Sequence, residues 1–167
     1  MFTYHSKQHK SAGFDKPADL TDKQMRIMAI NLLSRREYSL YELSQKLEPR
    51  SQNSGQVPHL LEYLVQSGYQ SDQRFAESFL RSRISRALGP MRIKRELKDK
   101  GIDSDLIDQV FETDVDWFEL AFESAHKKSQ SLDLSDYKDK QKLYRYLAYR
   151  GFTMDHMQYA ISAFMMK

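Results

Sequence analysis

Cysteine is absent from this chain of 167 residues, which excludes disulfides and thiolate metal sites. Glycine and proline are scarce, at six and four, too few for a β-sandwich with a turn about every 8–12 residues. No apolar run approaches the roughly 20 residues that a membrane-spanning helix needs. The stretch 1–16 carries charge but lacks the apolar segment of a secretory signal. The expectation is a cytoplasmic protein without membrane contact. A glycine-rich phosphate loop is missing too. The histidines (His5, His9, His59, His126, His156) share no metal-ligand spacing. His5 and His9 lie four apart but without a further ligand nearby. No Ser, His and Asp set stands out, so the chain is expected to bind rather than catalyse, with no metal or cofactor.

What is present is a globular balance, 40% hydrophobic and 29% charged. The formal charge is only +3 but unevenly placed. Residues 74–100 hold nine Lys/Arg against three acids, residues 103–123 hold eight acids and no Lys or Arg, and residues 138–150 hold five bases against Asp139. Blocks of alternating sign fit separate surfaces for separate partners, or solvated helix faces whose charges mix in space.

A period of fifty residues organises the chain. In the segment from Pro90 to Ile102, Pro90 suits a first helical turn, and Ile93 and Leu97 share one helix face. Gly101 suits the left-handed position past the helix end, from which Ile102 folds back onto that face. Fifty residues on, Leu143, Leu147, Gly151 and Phe152 repeat the pattern; fifty back, Leu43 and Leu47 take the places of Ile93 and Leu97. Helical spacing predicts a preceding helix at 23–35, 72–87 and 116–128, with Ile27/Ile30, Phe75/Phe79 and Phe118/Phe122 as inward pairs. A following helix is predicted at 58–66, 104–111 and 154–164. Thr21, Ser39, Ser71, Ser104 and Thr153 are candidate caps. The reading is all-α: three tandem three-helix repeats at 22–68, 69–114 and 115–167 in an elongated, curved stack, after a flexible tail at 1–21. Residues 48–56 and 129–136 are expected as surface loops, and Trp117 as core.

Basic residues crowd two consecutive helices joined at Gly89-Pro90. Arg74, Arg81, Arg83, Arg86, Arg92, Lys94, Arg95 and Lys98, with Arg145 and Arg150 from the third unit, are the candidate partner- and DNA-binding residues. Arginine forks suit phosphates or carboxylates. The alternative is pairing with Glu77, Glu96 and Asp99 nearby, and Arg83 has a further possible role in bracing the turn before Gly89. Tyr144, Tyr146 and Tyr149, amid Lys142, Arg145 and Arg150, form either a stacking platform for single strands or half-buried core.

Three stretches resemble the RecX family. Leu33-Ser-Arg-Arg-Glu-Tyr-Ser39, followed by Glu42-Leu43 and Leu47, is similar to its opening motif. The run from Asp72 to Arg83, then Gly89-Pro90, Ile93, Leu97 and Gly101-Ile102, is similar to its central signature; Leu143 to Leu147 with Arg150-Gly-Phe152 resembles its third repeat. The likeness spans roughly residues 23–164 and departs from the family at the 48–56 loop. It implies three tandem three-helix repeats and a monomeric regulator in homologous recombination, DNA repair and the SOS response. Such a regulator binds RecA and its filament on single-stranded DNA and mostly inhibits recombinase, ATPase and co-protease activities. Direct DNA contact, as a stand-alone nucleic-acid-binding repeat protein, is the alternative reading.

Overall fold

The computed structural model describes residues 19–165, and within them all regular structure is helical. The helices are α1 (Asp22–Leu33), α2 (Leu40–Leu47), α3 (Gln56–Gln66), α4 (Asp72–Ile84), α5 (Pro90–Asp99), α6 (Ser104–Val110), α7 (Trp117–Ser129), α8 (Tyr137–Arg150) and α9 (Met154–Met165). The expected tail, and His5 and His9 with it, falls almost wholly outside the described residues.

The helices pack as three consecutive triplets, and the closest helix pairs all lie within a triplet. Each triplet has its own apolar cluster. Met25, Leu43, Leu47 and Leu64 centre the first; Phe75, Ile93, Leu97 and Ile107 the second; Leu143, Leu147, Met157 and Ile161 the third. The six residues that define the period, Leu43/Leu47, Ile93/Leu97 and Leu143/Leu147, are fully buried. Burying a leucine contributes about 1.5–3 kcal/mol, so these pairs anchor three small cores.

Caps form where short polar side chains precede each run. Thr21 closes a reciprocal capping box with Gln24, and Ser39 and Ser71 accept from the amides of Glu42 and Arg74. Ser104 is not a cap: Asp103, one residue earlier, accepts from the Asp105 amide and fills that role. At the far ends of α5 and α8 the chain turns back identically. Ile102 donates to the Leu97 carbonyl and Gly101 to Lys98, as Phe152 does to Leu147 and Gly151 to Ala148. Gly101 (φ 75°) and Gly151 (φ 90°) take the left-handed conformation this closure requires.

Some inward faces differ from the expectation. Ile27 and Phe118 are exposed, at 51% and 43%, while Met25/Ala29 and Ala121/Ala125 are buried in their place. Small side chains let α7 approach α9 closely, and the aromatic ring is left to the rim. Helix α4 stops at Ile84, short of Ala87, where the backbone turns to φ 54°. The 48–56 segment is only partly loop: Glu48–Arg50 forms a 3₁₀ turn, and Gln56 begins α3 as a buried residue. The Gln56 side-chain amide donates to the Leu20 carbonyl and to Asp22, tying α3 back to the start of α1. Trp117 is half-buried and stacks on Phe111 (5.8 Å, 16°), against the second cluster rather than inside the third.

Candidate functional site

The fifty-residue offset also governs how triplets meet. At each junction the start of one middle helix lies against the end of the next. A Cβ on Gly101 would stand 2.6 Å from the Tyr41 Cβ, and one on Gly151 would collide with the backbone of Arg92. Tyr41 and Met91, Glu42 and Arg92, and Lys100 and Arg150 are therefore equivalent pairs of positions in the two junctions.

The chemistry at these equivalent positions differs. In the first junction Glu42 receives Arg36 (2.9 Å) and Lys100 (2.8 Å), while Asp72 accepts from the Leu40 amide and from the buried Gln70. In the second, backbone replaces side chain: Gly89 and Met91 donate to the carbonyls of Arg150 (2.8 Å) and Gly151 (3.0 Å). The carbonyl end of α8 thus satisfies the free amides at the start of α5, with opposite dipole ends in contact. Because position 92 is an arginine where position 42 is a glutamate, Arg150 finds no carboxylate there. It donates to the carbonyls of Arg86 and Ala87 and forms no ion pair among the described residues.

This placement divides the ten candidate cations into two groups. Arg74 bonds Glu37 and the carbonyls of Gly68 and Tyr69, bracing the first junction. Arg83 (2.7 Å) and Arg92 (2.8 Å) converge on Glu96, joining α4 to α5, and Arg92 also donates to the Tyr149 carbonyl. Arg83 therefore braces its own unit through its side chain, besides lying over Phe79 at 4.0 Å. Lys94 pairs with Asp108, and Arg150 is held as described. Among the described residues, Arg81, Arg86, Arg95, Lys98 and Arg145 make no ion pair and are exposed. Arg95 and Asp99, four apart on α5, form no ion pair.

Burial works against charge at Glu42 and Glu96, but the hydrogen bonds from two cations at each outweigh it and hold both carboxyls below their ordinary range. Both stay ionised at neutral pH. His156, packed edge-on to Phe118 at 4.7 Å, is held below its ordinary value by burial, with Asp155 and Asp116 pulling the other way.

Two surface hollows bear on function. One of about 570 Å³ lies between α1 and α3, lined by residues including Lys23, Arg26, His59 and Tyr63. The other, about 440 Å³, opens at the second junction and is lined by Arg83, Arg86, Arg92 and Arg150 with Tyr146 and Tyr149. The tyrosines divide by environment: Tyr144 and Tyr146 are half-buried against the third cluster, and Tyr149 is 76% exposed. Sequence reasoning passed over Arg36, Glu42 and Lys100, although the period that aligned the leucines also aligns them with Arg86, Arg92 and Arg150. No group of three or more His, Asp or Glu suited to a metal occurs among the described residues, and no described helix is long and apolar enough to cross a membrane.

Comparison with known proteins agrees with this geometry. Residues 71–110 match the family model described as RecX, second three-helix domain, and residues 114–161 that of RecX, third three-helix domain. The chain is 43% identical over 128 residues to regulatory protein RecX of Legionella pneumophila, covering 76% of this chain and 85% of that protein. It is 41% identical over 144 residues to the Acinetobacter baylyi protein of the same name, covering 86% and 90%. The crystal structure of RecX from Lactobacillus salivarius superposes with a TM-score of 0.76 at 23% identity, covering 87% of this chain and 97% of that one. That last likeness establishes the shared fold.

Proposed function

The chain belongs to the RecX family of regulatory proteins, and on that footing we propose that it binds RecA and the RecA filament on single-stranded DNA and inhibits recombinase, ATPase and co-protease activities. The observation that supports a binding role is the set of exposed cations on the second and third units, Arg81, Arg86, Arg95, Lys98 and Arg145, that form no ion pair among the described residues. Cations that form no internal ion pair are available to an external anion without first breaking a bond. The action is mass action: a monomeric, cytoplasmic protein that favours some filament states over others shifts their populations and needs no chemistry or cofactor.

Titration of this protein into a cognate RecA hydrolysing ATP on single-stranded DNA tests the reading. Hydrolysis is expected to fall as the ratio to RecA rises. Replacing Arg81, Arg95 and Lys98 together by Ala is expected to raise the half-inhibitory concentration about tenfold or more, since each charge-assisted contact contributes about 1 kcal/mol or more. An ATPase rate unchanged at every ratio refutes the proposal.

The second reading is direct nucleic-acid binding by the repeats. It is favoured by one observation, the arginine-lined hollow at the second junction.

A further inference from the structure

The two junctions are built alike but differ in charge. Around the first, Arg36, Arg83 and Lys100 face Glu37 and Glu42. Around the second, four guanidiniums, those of Arg83, Arg86, Arg92 and Arg150, face the single carboxylate of Glu96. A surplus of three positive charges in one concave site makes a positive local potential that attracts an anion. The donors are also arranged to serve a ligand. Arg83 and Arg92 approach Glu96 through Nε, which leaves both Nη groups of Arg83 uncommitted among the described residues, while Arg92 also reaches Tyr149. The Arg86 guanidinium makes no hydrogen bond or ion pair there. Beside these donors the Tyr149 ring stands open, with Arg92 near one face at 5.0 Å, and Tyr146 lies under Arg150 at 4.9 Å.

We propose that the cleft between the second and third triplets is a subsite for one nucleotide unit, its phosphate held by the arginine surplus and its base stacked on Tyr149. Forked donors match phosphate oxygens, and an exposed tyrosine face accepts any base, so the site is tolerant of sequence. The same chemistry is presented by a phosphodiester strand and by a free nucleoside triphosphate. The subsite needs no RecA, so its failure leaves the filament reading untouched, and the converse holds.

The test is fluorescence anisotropy of a labelled oligo-dT with the full chain and no RecA, with an abasic oligomer of equal length and dTTP as comparisons. Arg86→Ala alters an exposed side chain that holds no hydrogen bond among the described residues, and Tyr149→Leu one that is 76% exposed and touches only Arg92 among the described cations. Arg35→Ala is the control, since Arg35 is exposed, forms no ion pair among the described residues and lies on the first unit beside Gln24 and Asn31. Arg86→Ala is expected to weaken oligo-dT binding about tenfold and to lower the salt slope by about 0.7, one phosphate contact on a single strand. Tyr149→Leu is expected to weaken oligo-dT about fivefold or more and to leave the abasic oligomer unchanged. Arg35→Ala is expected to change neither by more than about twofold. Displacement of the oligomer by dTTP supports the subsite with free nucleotide as a source; no displacement supports it with the strand as the source. Equal losses in Arg35→Ala and Arg86→Ala mean a diffuse field and overturn the proposal. So does a Tyr149→Leu loss shared by the abasic oligomer, or no oligo-dT binding at low salt.

Discussion

Ala87 holds a left-handed backbone (φ 54°) that costs a non-glycine residue about 1–2 kcal/mol. Its carbonyl receives Arg150 at 3.0 Å, so the junction helps keep it there. Ala87→Gly relieves the strain but adds freedom to the unfolded chain. The net expectation is a gain of up to about 1 kcal/mol, read as a higher urea midpoint at unchanged slope; a lower midpoint would show that the backbone there is unstrained. Glu42 and Glu96 carry the pH response. With folded-state values below the unfolded ones, their stabilisation is present above about pH 4.3 and is lost as pH falls through the folded values. Glu96→Gln is expected to cost about 1 kcal/mol at neutral pH and to flatten the acid limb of a stability–pH curve. His156 acts in an earlier window. Its depressed value means that the unfolded chain takes up the proton first, so stability begins to fall as pH drops below about 6.5.

Among the elements, α5 and α8 show how one helix pattern gains a second use. Both end in the same glycine closure, but each glycine is also the point where two triplets touch. Gly68 gives a comparison: it has the same left-handed conformation (φ 71°) with open space around its Cα. Gly68→Ala is expected to cost only the conformational term, about 1 kcal/mol, and Gly151→Ala at least about 2 kcal/mol, because its Cβ meets the Arg92 backbone. Denaturant unfolding of the two variants measures the junction by difference. Equal costs would mean that the triplets separate without penalty. The central signature takes on a structural meaning here as well. Asp72 and Arg74 fasten α4 to the first unit, holding the Leu40 amide and Glu37.

At the scale of the whole molecule, three small cores joined by thin contacts form a short array in which neighbours stabilise one another. The array is closed at its first end by its own chain. Where the later units carry a glycine, position 51 is Ser, and the Arg50 carbonyl accepts the Leu20 amide. Trp117, the one tryptophan of the sequence, reports on the second junction through its stacking on Phe111. In the native sequence its fluorescence and the far-UV signal are expected to change together on unfolding. In Gly151→Ala the tryptophan transition is expected to come first, as the third unit uncouples; coincident transitions in the variant would refute that picture.

Much of the architecture was determined by the sequence alone, because local rules are sufficient for it. Leucines at helical spacing, a glycine that must turn left-handed and a polar cap before several of the helices act within about a dozen residues, and a fifty-residue period copies much of this. Tertiary structure decided which face of α1 and α7 is inside, since alanines allow a closer approach than the large side chains beside them. It also decided which cations are braces and which are free. The sequence leaves Arg83 and Arg92 either free or paired with a nearby acid until Glu96 is seen between them, and Arg150 looks solvated until the Arg86 carbonyl, 64 residues away in sequence, is set against it. A charge is neutralised by whatever lies within a few ångströms, and only the folded chain fixes what that is.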